Sequence, residues 1–581
     1  MKKIQLILYF ILSGFILYGQ SSYEVKFTIP EYDAANPEHF LISKISDWHH
    51  INDVDKRFFY VKPGNYQSAG DDMGRVILTT RGTETAKRYI SLYNGNDVHP
   101  GKLNRDWHAK VGFILKNTEY WVIDRMSYWE HWYGLVPVII NSSNHIIINR
   151  YYAMNINGGV ISVRPGSDSN VIQNCRMEKD NIDLHMDRAA ISLSNNFEDN
   201  ITISNTIIVN NEIKNYVDGF QAIKTGLSEQ VNINYEGTVV DYNHFYVDTT
   251  FYTDGEGHHD TIGIRSYTEN AIDLKCGSEN PDNPMVFSNN KMWGYRKADR
   301  ENSHLDDPGI AFGLHFGVKN IIIRNNLIWD SNRGIIAGVR KNGKPALENA
   351  VITHNVIYDI KQNGVLFNYS DNLLFNHNLI KKTGEYIFDS GAYWGLFGVN
   401  HTFEYSDNLM VNNSGKDGAR LFVCSDVTIS NNKYYNSQPG QISQASDTIF
   451  TSDPTADYSD LVFITDRFTL NPRTITIQNI GDDISSDEVY IVPDLTSVKI
   501  ENTSRFKIYP NPSNGIVNIS LNKFYDNIDV EIVDITGSSI AKKSYWGTNK
   551  LTIKLNALAG VYFVIIRSDS GEISSSKLII Q

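Results

Sequence analysis

Asn320-Ile321-Ile322-Ile323-Arg324-Asn325-Asn326 is one copy of a phrase that runs through the middle of this 581-residue chain: asparagine, alternating aliphatics, then asparagine again. It recurs upstream as Asn144-His145-Ile146-Ile147-Ile148-Asn149, Asn170-Val171-Ile172-Gln173-Asn174, Asn200-Ile201-Thr202-Ile203-Ser204-Asn205 and Met285-Val286-Phe287-Ser288-Asn289-Asn290. Downstream it returns as Ala350-Val351-Ile352-Thr353-His354-Asn355, Asn372-Leu373-Leu374-Phe375-Asn376-His377-Asn378 and Val427-Thr428-Ile429-Ser430-Asn431-Asn432. Most copies lie about 22 to 30 residues apart, one coil of a solenoid of short parallel strands. Aliphatics at every second position fill the bore, and asparagine tolerates the left-handed backbone of a tight turn and stacks as an amide ladder between coils. A hairpin sandwich would instead show paired strands around Asn-Gly or Asp-Gly turns, which are scarce here. The expected fold is all-β: a right-handed parallel β-helix followed by a small C-terminal β-sandwich.

The ends read differently. Lys2 and Lys3 precede an apolar run from Ile4 to Tyr18 and then Gly19-Gln20-Ser21, the pattern of a cleavable signal over residues 1–20. The run is shorter than the roughly 20 residues a membrane-spanning helix needs. The β-helix is expected over 21–478, with the Phe40 to Trp48 stretch as an amphipathic cap helix over its open edge and Phe463 to Pro472 as its last coil. A polar stretch, 479–503, links it to 504–581, where Tyr509-Pro510-Asn511-Pro512-Ser513-Asn514-Gly515 precedes alternating strands and Leu558-Ala559-Gly560-Val561-Tyr562. These phrases resemble the C-terminal sorting domain of the type IX secretion system of Bacteroidetes. The resemblance implies passage through the outer membrane, the secretion machinery as partner, and release or surface attachment.

Bulk properties bound the rest. Three cysteines, Cys175, Cys276 and Cys424, supply neither a disulfide framework nor a cysteine-rich zinc site. A net charge of −13 argues against nucleic acid as a general partner, while a local basic stripe remains compatible with a polyanion. A monomer is expected. Dinucleotide, P-loop, zinc-protease and nucleophile-elbow phrases are missing.

Candidate chemistry follows from alternation. In Ile161-Ser162-Val163-Arg164, Ile223-Lys224, Ile272-Asp273-Leu274-Lys275 and Phe312-Gly313-Leu314-His315 the aliphatics point inward, which places Arg164, Lys224, Lys275 and His315 in one outward column. Asp218, Glu269 and Asp273 lie beside it, with Asp260 and Arg265 on a short strand just before. A single outward lysine or aspartate is more often solvated surface, so the column outweighs its members. Adjacent His258 and His259 alternate faces and suit a loop better than a metal site, and Asp183, His185 and Asp187 form a weaker cluster. Trp121, Trp129, Trp132 and Tyr133 suit sugar stacking or core packing equally. Segments 228–254 and 278–307, the latter with Arg296, Lys297, Arg300 and His304, read as substrate-wrapping insertions.

Val217-Asp218-Gly219-Phe220-Gln221-Ala222-Ile223-Lys224, Glu269-Asn270-Ala271-Ile272-Asp273-Leu274 and Gly309-Ile310-Ala311-Phe312-Gly313-Leu314-His315 resemble successive coils of the family-nine pectate lyases. That resemblance implies a polysaccharide lyase acting on an acidic, uronate-containing and even sulfated glycan. It implies Ca2+ held by Asp218 and Asp273, with Glu269 and Asn270 replacing the family's paired aspartates. The family's base lysine has no counterpart, since Gly313 stands in its place. Lys275 or Lys224 is then the expected base, with His315 as proton donor or second candidate and Arg164 and Arg265 as grips for carboxylate or sulfate. Two alternatives stay open: a glycoside hydrolase using an Asp/Glu pair, and a non-catalytic glycan-binding solenoid.

Overall fold

In a computed structural model of the chain, residues 21–449 and 506–580 are described, apart from short stretches of which the longest are 94–107, 180–188, 223–232, 248–268, 296–308 and 391–399. Contacts divide the chain into two units, Met1–Val489 and Tyr490–Gln581. In the first, short strands stack coil on coil into three parallel sheets of 14, 12 and 14 strands, a right-handed β-helix. Each coil visits the first sheet (as Trp121–Asp124), the third (Ser127–His131) and the second (Val138–Asn141) in turn. One core cluster runs from Ile42 to Tyr434.

The recurring phrase has a physical explanation at each position. Ile321 and Ile323 are fully buried in the bore, while Ile322 between them faces outward and is only partly covered. Asn325 takes φ 55°, the left-handed conformation that turns the chain out of the first sheet. Asn326 then points inward, where its Oδ1 accepts the backbone N–H and the Nδ2 of Asn290, each at 3.0 Å. Its own Nδ2 donates to Asn355 Oδ1 and to the Phe287 carbonyl, both at 3.0 Å. The same pattern links Asn211, Asn243, Asn290, Asn326, Asn355, Asn378, Asn408 and Asn432. A continuous amide ladder therefore satisfies the buried turn, which otherwise would strand polar groups away from water.

Three expectations need correcting. The cap is not a helix from Phe40: His39–Ile42 is a strand paired in parallel with Phe58–Val61, and a 3-10 helix follows at Ile45–Asn52. That helix buries Trp48 and Ile51 over the end of the bore, where Trp48 meets Tyr66 and Phe113 edge-on. Within the supposed insertions 228–254 and 278–307, the described residues 233–247 and 278–295 belong to regular coils of the solenoid. Val239–Asp241, His244–Tyr246, Met285–Ser288 and Lys291–Trp293 are regular rungs of the first and third sheets, because their alternating apolar residues fill the same bore. Arg296, Lys297, Arg300 and His304, and the expected last coil and linker over 463–503, lie outside the described residues.

In the second unit five antiparallel strands share one hydrogen-bonded sheet. Along Ile516–Asp534 the buried positions are Val517, Ile519 and Leu521, then Ile528, Val530 and Ile532, so the alternation changes phase where the pairing register shifts. Both halves contribute to a single cluster with Leu551, Ile553, Val564 and Leu578. The expected sandwich is thus made by long strands that change face midway rather than by two separate sheets.

Candidate functional site

The second sheet positions the candidate residues. Phe220, Ile272 and Phe312 pair across neighbouring strands, as do Ala222, Leu274 and Leu314, and all are core residues. The intervening Gln221, Asp273 and Gly313 therefore lie side by side on the outside. One step earlier the alternation breaks. Ala271 and Ala311 are also in the core, and a Cβ on Gly219 would fall 2.4 Å from the Phe245 ring. Two successive residues on each strand point inward, which brings Asp218 and Asn270 to the same outer face as Asp273.

Asp273 is the centre of this face. Its side chain is fully buried, Lys275 Nζ stands 2.9 Å from Oδ2, and Gln221 Nε2 donates to Oδ2 at 2.6 Å. His315 Nε2 lies 2.8 Å from Oδ1, an ion-pair distance without a linear hydrogen bond. Burial by itself would raise the Asp273 carboxyl, but the His315 contact and charge, then Lys275 and Gln221, outweigh it and hold the group below the ordinary carboxylate value. Burial likewise works to lower Lys275, yet Asp273, then Asp218 and Glu269, hold its ammonium above the ordinary lysine value. Lys275 and His315 keep 31% and 39% of their side chains exposed, so both reach solvent from an anchored root. No hydrogen-bond partner of His315 Nδ1 is seen among the described residues.

Neighbouring coils show how local this charge is. The outward position that Asp273 occupies reads Ile139, Ser162, Ser192, Gln221, Asp273, Gly313, Ile336 and Leu366 along the sheet. Among these eight positions Asp273 is the only carboxylate, beside a glycine that leaves the next position open, and Asp389 follows Leu366 further along the same register. Asn270 Oδ1 comes within 2.5 Å of where a Gly313 Cβ would sit, while its N–H and Nδ2 donate to Asp218 Oδ1 at 3.1 and 3.3 Å.

Of the expected residues, the structure joins Asp273, Lys275 and His315 directly and sets Asp218 and Glu269 around Lys275. Arg164 lies on the same face but three strands away, about 14 Å at the usual strand spacing. Its Nε is buried without a hydrogen-bond partner among the described residues, and burial, then nearby Arg75, pushes the guanidinium below its ordinary value. Ala222, not Ile223, pairs with Leu274, and Lys224 lies, like Arg265, Asp260, His258 and His259, outside the described residues. Trp132, Tyr133, Asp183, His185 and Asp187 also lie outside them. Trp121 is core, with Arg88 over its ring, and Trp129 belongs to the third sheet under Lys110. Gln221 escaped the sequence reading as a partner of Asp273; its signal was an amide at the outward position of an otherwise apolar strand.

Calcium asks for six to eight oxygen ligands. Asp273 gives its oxygens to Gln221, Lys275 and His315, and Asp218 Oδ1 accepts two donors from Asn270. No group of three or more His, Cys, Asp or Glu side chains is arranged to hold a metal among the described residues. Asp273 therefore does not fit the calcium-ligand role that the resemblance implied, because Lys275 already balances its charge and Gln221 and His315 occupy its oxygens.

Residues 507–581 match the family model described as the secretion system C-terminal sorting domain, so the protein is a type IX export substrate, secreted or attached to the cell surface. No curated protein matches the chain. Among solved structures, the chain is similar to PfbA, a surface adhesin of Streptococcus pneumoniae, at 14% identity and TM-score 0.38 over 65% of this chain and 82% of that one. It is also similar to an alginate lyase from Paenibacillus, at 13% identity and TM-score 0.31 over 67% and 99%. A third is an exopolygalacturonase from Thermotoga maritima, at 10% and 0.34 over 67% and 87%. At such scores these likenesses carry no weight for the reaction.

Proposed function

We propose that this exported protein degrades an acidic polysaccharide at the Asp273 face of its second sheet, by β-elimination from a uronate residue. The observation that supports this is the buried Asp273 carboxylate bridging Lys275 and His315 beside the open Gly313 position. A buried carboxylate shared by a lysine and a histidine is a costly way to hold a sheet whose adjacent coils do without it, and such clusters favour functional sites.

In this reading each group takes a different role from the first expectation. Lys275 is held protonated by Asp273, Asp218 and Glu269, so it suits neutralising the substrate carboxylate, which acidifies C5–H, rather than removing the proton. His315 presents Nδ1 outward while Asp273 holds Nε2, and it takes the C5 proton. The C–H electron pair forms the C4–C5 double bond, the C4–O bond breaks, and the leaving oxygen takes a proton from water. Asp273, held by Gln221, orients the Lys275 ammonium and the neutral His315 imidazole that acts as base. The proximity of Asp218 and Glu269 to Lys275 supports a second reading, glycoside hydrolysis by a carboxyl pair.

Incubation of the purified protein with a panel of polyuronates and sulfated glycans tests both. Elimination yields products with ultraviolet absorbance from the new double bond, lost in His315→Ala. Reducing ends without that absorbance would replace elimination by hydrolysis, and binding without cleavage would leave a glycan-binding solenoid.

A further inference from the structure

The first sheet carries an outward apolar column, Tyr89, Val122, Ile147, Val171 and Ile207, that a solenoid in water would leave bare. It is covered by the chain's own residues 21–30. Val25 and Phe27 pack on Val122, Ile147 and Val171. Gln173 bonds both backbone groups of Val25, accepting its N–H and donating to its carbonyl at 2.9 Å each, as a neighbouring strand would. Glu24 receives Asn174 Nδ2 at 3.1 Å and Asn210 Nδ2 at 3.3 Å, and Tyr60 donates to the Pro30 carbonyl at 2.8 Å. From Asp241 to Tyr60 this segment crosses seven strands. Six strand spacings make about 29 Å, and nine extended residue steps of about 3.3 Å make about 30 Å, so the strap runs straight across the sheet.

Its first residue is the most tightly held. Ser21 is 5% exposed, and its Oγ donates to Asp241 Oδ2 at 2.5 Å. Its backbone nitrogen points to Asn210 Oδ1 at 3.4 Å. Asp241 is itself 2% exposed, and its other oxygen accepts Ser288 Oγ at 2.7 Å and Asn289 Nδ2 at 2.8 Å. Three neutral donors hold the buried carboxylate, with Arg324 as a nearby positive charge, and the Ser21 nitrogen belongs to the residue that supplies one of those donors.

We infer that Asp241 and Asn210 form a binding site for the amino group that appears at Ser21 when residues 1–20 are removed, and that this group latches the strap across the first sheet. Hydrolysis of the Gln20–Ser21 bond by a signal peptidase adds water across the amide and leaves an ammonium where one N–H had been. The ammonium brings a positive charge and two further donors to the Asp241 carboxylate, a charge-assisted contact stronger than the neutral one. Completion of the β-helix surface is thereby coupled to removal of the leader, independently of what the second sheet does.

The test compares protein beginning at Ser21 with the same protein carrying a Gly-Ser extension ahead of it, both otherwise the full mature chain. The readout is the rate at which trypsin cuts after Lys26, whose side chain is 66% exposed, and releases the strap. The extended form is expected to be cut about tenfold faster, since local opening sets cleavage. Asp241→Asn is expected to abolish the difference. Equal rates in the two wild-type forms would overturn the latch, and that arm leaves the solenoid untouched. Mass spectrometry of the secreted protein showing a first residue other than Ser21 would also overturn it.

Discussion

The asparagine ladder and the Asp273 face are both buried polar structures on a repeating scaffold, and they differ in one respect. From Asn211 to Asn432 every rung repeats the same amide with the same partners, so each polar atom is answered by its neighbour. Around Asp273 the repetition stops: glutamine, aspartate and glycine occupy one outward position on three adjacent strands, and the charge is balanced by side chains from two coils. Repetition solves the problem of folding a solenoid. A break in repetition that buries charge adds nothing the ladder lacks, and so points to chemistry.

Substitutions can break this contrast in either direction. The largest effect is expected from His315→Ala, a loss of about a thousandfold in turnover with the unfolding midpoint nearly unchanged, read by product formation and thermal melting. Asn326→Ala should do the reverse. It leaves the Asn290 N–H without an acceptor and its Nδ2 with only the Val240 carbonyl, costing about 3 kcal/mol in denaturant unfolding while activity at low temperature is retained. Gln221→Leu removes one donor from Asp273 and should reduce turnover about tenfold. If Asn326→Ala abolished activity while His315→Ala spared it, the division between ladder and site would collapse.

Two milder perturbations sharpen it. Asp273 is held below the ordinary carboxylate value of 3.8, so its contribution to stability is full above that value and is lost as pH falls through the lower folded one. Lys275 is held above its ordinary 10.5, so its contribution is full below that value and is lost as pH rises through the higher folded one. Between these limits the pair adds a constant amount, and Asp273→Asn should flatten the acid limb of the stability profile measured by melting. Chelation should change turnover by no more than about twofold, since Lys275 supplies the positive charge a metal would; loss of activity restored by calcium would return Asp218 and Glu269 to a metal-binding role.

Much of this was legible in the sequence. The Asn-aliphatic-Asn phrase encodes a coil because its three physical demands are local: apolar side chains at alternate positions, one residue tolerant of positive φ, and one amide able to stack. The alternation in Ile272-Asp273-Leu274-Lys275 likewise sent Asp273 and Lys275 outward, and the Tyr509 to Gly515 opening marked the sorting domain, because each is a short-range pattern. What needed the tertiary structure was register. Asp218 and Asn270 are 52 residues apart in sequence, and nothing local says that Ala222 rather than Ile223 faces Leu274. Nor does alternation predict the paired inward residues at Gly219-Phe220 and Ala271-Ile272 that bring Asp218 and Asn270 around to the face of Asp273. The segment after the leader is the same lesson. Ser21 to Pro30 carries no repeat of its own, and its place was decided by an apolar column that only the stacked coils create.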